Sequence, residues 1–322
     1  MKKGWKFVAV ISVVLLVFML YPIGGHAQAK TGAKKVYLLY PTLGFPFIVS
    51  LMDHSRQFAK EIGVDLTIFD GQMDDNKQYQ QAMQAINDKV DLVILCVLGQ
   101  SGGTIMRKLQ DANIPCVVLN QMPAKENDPF YTSAVIGDDY DHGVKCGQAL
   151  MKKFGDKPCN IAVILGMAAD TASDARYQGF KDTVSKKNNF KILTAQAADW
   201  DKGRAMSITE DFITKFGDKL SAVYCGDDGM AAGAVQALND AGMGGGKVTV
   251  IGVGLNKQGI ANIKAGDQFG SAAHEPADFA KYCFSTVDKI LKGQKVPKKV
   301  IVPGPWYDSS NINSYPYGEG TW

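Results

Sequence analysis

The feature that most constrains this chain is a rhythm: from Lys35 onward, short apolar runs alternate with amphipathic stretches. VYLLY is followed by a turn at Pro41 to Pro46. Then Ile48, Leu51, Met52, Phe58, Ala59 and Ile62 recur at helical spacing until Gly63 stops them. VDLTIFD, VDLVILCVL and IPCVVLN read as strands, with DDNKQYQQAMQAINDK and TIMRKLQDAN as the helices between them and a turn at Gly99 to Gly103. The second half repeats the theme. A helix from near His142 to Phe154 leads to strand CNIAVIL, a helix through Arg176 to Lys186, and strand FKILTAQ. A helix before Phe216, strand SAVYC, helix MAAGAVQALNDAG, strand VTVIGV and a helix after Gln258 complete the series. Strands separated by helices of about 10–15 residues mean βαβ units and parallel sheets. The unbroken apolar character of the strands fits sheets covered on both faces. Two such stretches, near residues 35–137 and 138–274, predict an α/β protein of two doubly wound parallel-sheet lobes.

The first residues point to export. Lys2, Lys3 and Lys6 precede the apolar run Phe7 to Leu20, Pro22, Gly24 and Gly25 break it, and Ala27-Gln28-Ala29 offers a small-x-small cleavage pattern. The run is about 14 residues, whereas a spanning helix needs roughly 20. A signal peptide over 1–29, cleaved after Ala29, is expected, and no Cys lies near the end of the run for lipid attachment. A free protein of the Gram-negative periplasm follows. With that segment go three of the 35 basic residues and no acidic ones, leaving 32 against 32. Such a balance gives neither nucleic acid nor a membrane surface a basic patch to bind. Six Cys in an exported chain allow 15 disulfide connectivities. Yet Cys96, Cys116 and Cys225 sit in or beside strand-like runs, and Cys146 and Cys283 in helix-like ones. Buried free thiols are the expectation.

In doubly wound sheets, ligands lie beyond the carboxyl ends of the strands. Phe45 and Phe47 follow the first strand, and Asn120 and Gln121 follow IPCVVL. Asp174 and Arg176 come after CNIAVIL, and Asp199, Trp200 and Asp201 after FKILTAQ. Asp227 and Asp228 follow AVYC, and Gly254 follows VTVIGV. Aromatic faces, amides, one Arg and carboxylates converging on a cleft suit a polyhydroxylated ligand, which stacks its CH faces and hydrogen-bonds through its hydroxyls. Each residue also has a plainer reading. Phe45 and Phe47 can pack under a loop, Asp227 and Asp228 can cap the helix near Met230, and a lone His274 can be structural.

At these places the sequence resembles the ribose-binding branch of the periplasmic sugar-binding proteins of ABC transporters. PTLGFPFIVSLMD, IPCVVLNQ, DTASDARYQGF, AADWD, AVYCGDDGMAAGAVQAL and VIGVG fall in that family's order, from about Lys35 to about Val302. The resemblance implies ligand contacts at Phe45, Phe47, Asn120, Gln121, Arg176, Trp200, Asp227 and His274. It implies a three-crossover hinge near Gly137, His274 and Pro303, with an N-terminal lobe of 34–137 plus 275–303 and a C-terminal lobe of 138–274 plus 304–322. An ABC permease with its ATPase is the implied partner, the protein itself being a monomer that needs no cofactor or metal. The departures are specific. Asn120-Gln121 stands where such relatives hold an Asp-Arg pair, Gly254 where they commonly place a ligand-gripping Asp, and Phe45 at an often amide position. The pocket is therefore expected to be less charged and more aromatic than a ribose clamp. It would fit a cyclic polyol, a modified sugar or a partly apolar metabolite. The aromatic tail from Gly304 exceeds the usual ending and is expected to pack along the second lobe.

The competing readings are an enzyme, a regulator and a receptor. Gly99-Gln100-Ser101-Gly102-Gly103 matches G-x-S-x-G between a strand and a helix, as in a secreted Ser hydrolase, with His274 as the available base. Three fixed positions arise readily among 34 Gly, so a turn is the expectation. A LacI-type regulator shares the lobes but needs a DNA-binding helix pair at its N-terminus. Gly252-Val253-Gly254 is too short a pattern for a dinucleotide loop. A chemosensory receptor of the same fold reads identically in sequence.

Overall fold

The computed structural model describes Met1, residues 32–97 and residues 101–322, so the expected signal peptide and Gly99-Gln100 lie outside the described residues. The first sheet holds β1 (Lys35–Tyr40), β2 (Asp65–Asp70), β3 (Leu92–Leu95), β4 (Cys116–Asn120), β5 (Ser133–Gly137) and β11 (Lys299–Val302), in the order β11-β5-β4-β3-β1-β2. Every pairing in it is parallel. The second holds β6 (Cys159–Leu165), β7 (Phe190–Ala197), β8 (Ala222–Cys225), β9 (Thr249–Gly254), β10 (Gly270–Ala273) and β12 (Trp306–Asp308), ordered β12-β10-β9-β8-β6-β7. Among the described residues, only the edge pair β10 and β12 is antiparallel.

The apolar runs are continuous because each sheet is covered twice. Successive strand side chains point to opposite faces. In β3, Leu92 and Ile94 therefore join a core under α1 (Pro46–Ile62) and α9 (Pro276–Leu291). Val93 and Leu95 join one under α2 (Asp75–Asn87) and α3 (Ser101–Asp111). The second sheet repeats this. Ala162 and Ile164 of β6 pack toward α6 (Lys202–Phe216) and α7 (Asp228–Asp240). Ile161 and Val163 pack toward α4 (Asp139–Phe154) and α5 (Thr171–Val184). α8 (Lys257–Ala265) lies over a smaller cluster of Leu255, Ile260, Ile263, Ile312 and Tyr315. All six Cys are buried unpaired thiols.

Helix ends are set by single residues. Gly63 ends α1 with φ 71°, a conformation costly for a side chain. Carboxylates accept the first free N–H groups at the starts of α2 (Asp74), α4 (Asp138), α5 (Asp170), α6 (Asp201), α7 (Asp227) and α9 (Glu275). These caps place the boundaries: α4 begins at Asp139, just before His142, and α5 runs from Thr171 through Arg176 to Val184. The chain passes between the sheets three times: after β5, after β10 and after β11.

Candidate functional site

The carboxyl ends of the strands face one another, and residues from both lobes meet there. From the first lobe, Phe45 precedes α1 and Phe47 sits in its first turn. Both are half-buried against the first lobe's core. Phe47 reaches further. Its ring lies 4.9 Å from that of His274 and 5.4 Å from the indole of Trp322, the latter edge to face. Asn120 ends β4 with a positive φ of 72°, a conformation Asn tolerates better than most residues. Its Oδ1 lies 3.1 Å from His274 Nε2.

Gln121 crosses the cleft. Its Nε2 donates to Asp170 Oδ2 at 3.0 Å, while Asp170 Oδ1 accepts from Ala172 N and Ser173 N at the start of α5. One carboxylate thus caps a helix of the second lobe and latches the first. Burial raises its pKa despite those donors.

Arg176, 5% exposed, is held inside the second lobe. Its Nε donates to Asp139 Oδ1 at 2.8 Å and its Nη1 to the Gly226 carbonyl at 2.9 Å. The guanidinium carbon stands 5.8 Å from the Trp200 ring, within cation–π reach. Burial alone would raise Asp139, but Arg176 beside it and the His142 side chain hold it well below the usual carboxylate range. Trp200 is half-buried, with φ 61° following Asp199 at φ 53°. Its indole lies flat against Gly166, where a Cβ would stand 2.1 Å from Cζ2. Of the flanking acids, Asp199 pairs with Arg204, and Asp201 accepts from Arg204 N at 2.7 Å to cap α6.

Asp227 does cap α7, accepting from Met230 N at 2.7 Å. The residue is only partly buried, yet desolvation by the surrounding protein pushes its pKa up to about 7, against the opposing pull of Met230 N and Arg176. Asp228 is structural. It is fully buried and accepts from Leu255 N, Gln268 Nε2 and Ser271 Oγ at 2.6, 2.7 and 2.7 Å. A Cβ at Gly252 or Gly259 would collide with that carboxylate, so Gly252 serves packing.

His274 is buried in the crossover after β10, packed on Phe279 and, edge to face, on His142. Burial, with Arg176 nearby, holds its pKa well below the usual value, so its ring is neutral. Asp139, His142 and His274 bring one ligand atom each within 4.8 Å, a grouping the scattered sequence positions did not reveal. Arg176 already supplies the positive charge on Asp139 there, which opposes a second cation.

Gly254 ends β9 with φ 141°, and the Trp322 indole stands over it. The aromatic tail departs from expectation. It pairs with the second lobe through β12 but ties back to the first at Glu275, Asp278 and Ser50. Ser101 opens α3 with its hydroxyl on Asp75 Oδ1 at 3.1 Å, and His274 Nε2 faces Asn120 rather than a nucleophile, so the hydrolase reading finds no support. Asp139, His142, Asp170 and Trp322 were not singled out in sequence. Only Asp170 carried a local signal, its place ahead of a helix as an acidic cap.

Residues 36–295 match the periplasmic binding protein domain family. The ribose import binding protein RbsB of Haemophilus influenzae is 28% identical over 298 residues, covering 92% of this chain and 97% of its own. A putative rhizopine-binding protein of Rhizobium meliloti is 26% identical over 315 residues, 96% of this chain and 98% of its own. Among solved structures, an ABC transporter solute binding protein from Bacillus halodurans with bound myo-inositol superposes with TM-score 0.83 at 20% identity, covering 89% and 99% of the two chains. The two parallel-sheet lobes, their facing strand ends and the family match agree: the chain belongs to the periplasmic binding protein family, in its ribose-binding-protein-like branch.

Proposed function

We propose that this protein captures a small, neutral, polyhydroxylated ligand, a monosaccharide or cyclic polyol, in the periplasm and delivers it to an ABC permease and its ATPase. The observation that supports this reading is the bonding of first-lobe strand-end residues across the cleft, Gln121 to Asp170 and Asn120 to His274, beside a second lobe that offers Arg176, Trp200 and Asp227 at its own strand ends. The charges favour neutrality. Arg176 is offset by Asp139, and burial pushes the carboxyls of Asp170 and Asp227 toward their neutral forms, which favours an uncharged ligand. The relatives' names describe binding proteins, and we read this chain likewise as a carrier rather than an enzyme.

Two of the five N–H donors of Arg176 are used inside its lobe, which fixes the guanidinium and leaves the others for ligand hydroxyls. Trp200 offers a flat face for C–H stacking. Closure is supported by the Gln121–Asp170 and Asn120–His274 bonds, and a ligand touching both lobes adds free energy to that state alone. Titration calorimetry of the mature chain against D-ribose, D-allose, xylitol and myo-inositol tests the reading. Micromolar or tighter binding of at least one is expected. Failure of all four, with binding of an ionic metabolite instead, overturns it.

A further inference from the structure

The segment after β11 is tied to both sides of the cleft. Tyr315 donates to Glu275, and Tyr317 donates to Asp278 Oδ1 at 2.5 Å, both acceptors lying at the start of α9 in the first lobe. Ser50 Oγ of α1 donates to the Thr321 carbonyl at 3.1 Å. On the second lobe, Lys264 pairs with Glu319 at 2.6 Å, and Lys257 N donates to the Trp322 carbonyl at 2.8 Å. Anchored on both sides, Trp322 points its indole into the cleft. The ring meets Phe47 edge to face at 5.4 Å, and a Cβ on Gly254 would lie 3.0 Å from its Cζ2. Its Nε1 is buried and has no hydrogen-bond partner among the described residues.

We propose that Trp322 is a wall of the ligand pocket and donates its indole N–H to an oxygen of the bound ligand. This rests on the capture reading above and specifies one corner of its site. A buried donor without a partner is costly, and a ligand oxygen at Nε1 removes that cost. Gly254 is the residue that lets the indole lie there, since any side chain would both displace the ring and strain the backbone at φ 141°. Phe47 and the indole together make this corner apolar, with a single donor at its edge. The ligand that fits places an acceptor oxygen beside a C–H face, as a sugar ring or cyclitol does.

The test uses the full mature chain, with D-ribose, D-allose, xylitol and myo-inositol as probes in calorimetry, and compares wild type with Trp322→Phe and Trp322→Ala. Trp322→Phe keeps a ring without the donor and should weaken the best-bound probe about tenfold. Trp322→Ala should weaken it about a hundredfold. The ligand-induced change in tryptophan emission should shrink in both variants, and an unfolding temperature near wild type for Trp322→Phe separates contact from folding. Wild-type affinity in Trp322→Ala overturns the proposal while leaving the capture reading intact. Tighter binding in Trp322→Ala overturns it too, by making the indole an occupant that ligand must displace. Binding of no probe by any of the three proteins overturns this proposal, and binding of an ionic metabolite in their place refutes the capture reading with it.

Discussion

The Gln121–Asp170 bond is the most direct test of closure, because it exists only when the lobes meet. Donor and acceptor are 3.0 Å apart and both half-buried. Hydrogen bonds to charged groups contribute about 1.5–3 kcal/mol net. Burial already penalises the Asp170 carboxylate, so the lower end, about 1.5 kcal/mol, applies here. Losing it shifts the open-to-closed ratio about tenfold. Where the closed state is a minority before binding, ligand affinity falls by the same factor. Gln121→Ala, Asp170→Ala and the double variant form a cycle, measured by calorimetry with the best-bound sugar or polyol. The two single losses should overlap, with a coupling of about 1.5 kcal/mol. Asp170→Ala should also lower stability by about 1 kcal/mol through the lost α5 cap, read separately by denaturant unfolding. Losses that add within about 0.3 kcal/mol would mean that the pair does not act as a latch.

Trp200→Ala should cost about 2 kcal/mol of binding, near thirtyfold, while the protein stays folded; calorimetry showing undiminished affinity removes its stacking role. Asp227 has a folded-state pKa of about 7, above that of an unfolded aspartate, so its favourable contribution to stability is present at low pH and lost as pH rises through about 7. The stability of wild type relative to Asp227→Asn should therefore fall between about pH 4 and 7. The buried His142 and His274 act in the opposite sense but cancel in this difference, and a flat difference in denaturant unfolding refutes the assignment. Ser101→Ala should leave ligand binding unchanged in calorimetry, and loss of a measurable esterase activity on this change would reinstate the hydrolase reading.

The sequence alone determined the two lobes and which residues stand at their strand ends. Strand period and helix period are local properties, and a sheet covered on both faces writes its strands as unbroken apolar runs such as LVIL. The rule that ligands lie beyond strand ends then selects Phe47, Asn120, Gln121, Arg176, Trp200 and Asp227 without coordinates. The tertiary structure decided what each of them does. Asp139 lies 37 residues from Arg176 in the chain, and Asp170 lies 49 from Gln121, so no local pattern announces either partner. Asp227 and Asp228 are neighbours with different fates: one caps a helix at the cleft, while the other is locked beneath by Leu255, Gln268 and Ser271. Trp322 was legible only as one aromatic residue in a tail. Its place over Gly254 depends on ties to both lobes at once, and contacts between segments so far apart are fixed by folding rather than by sequence spacing.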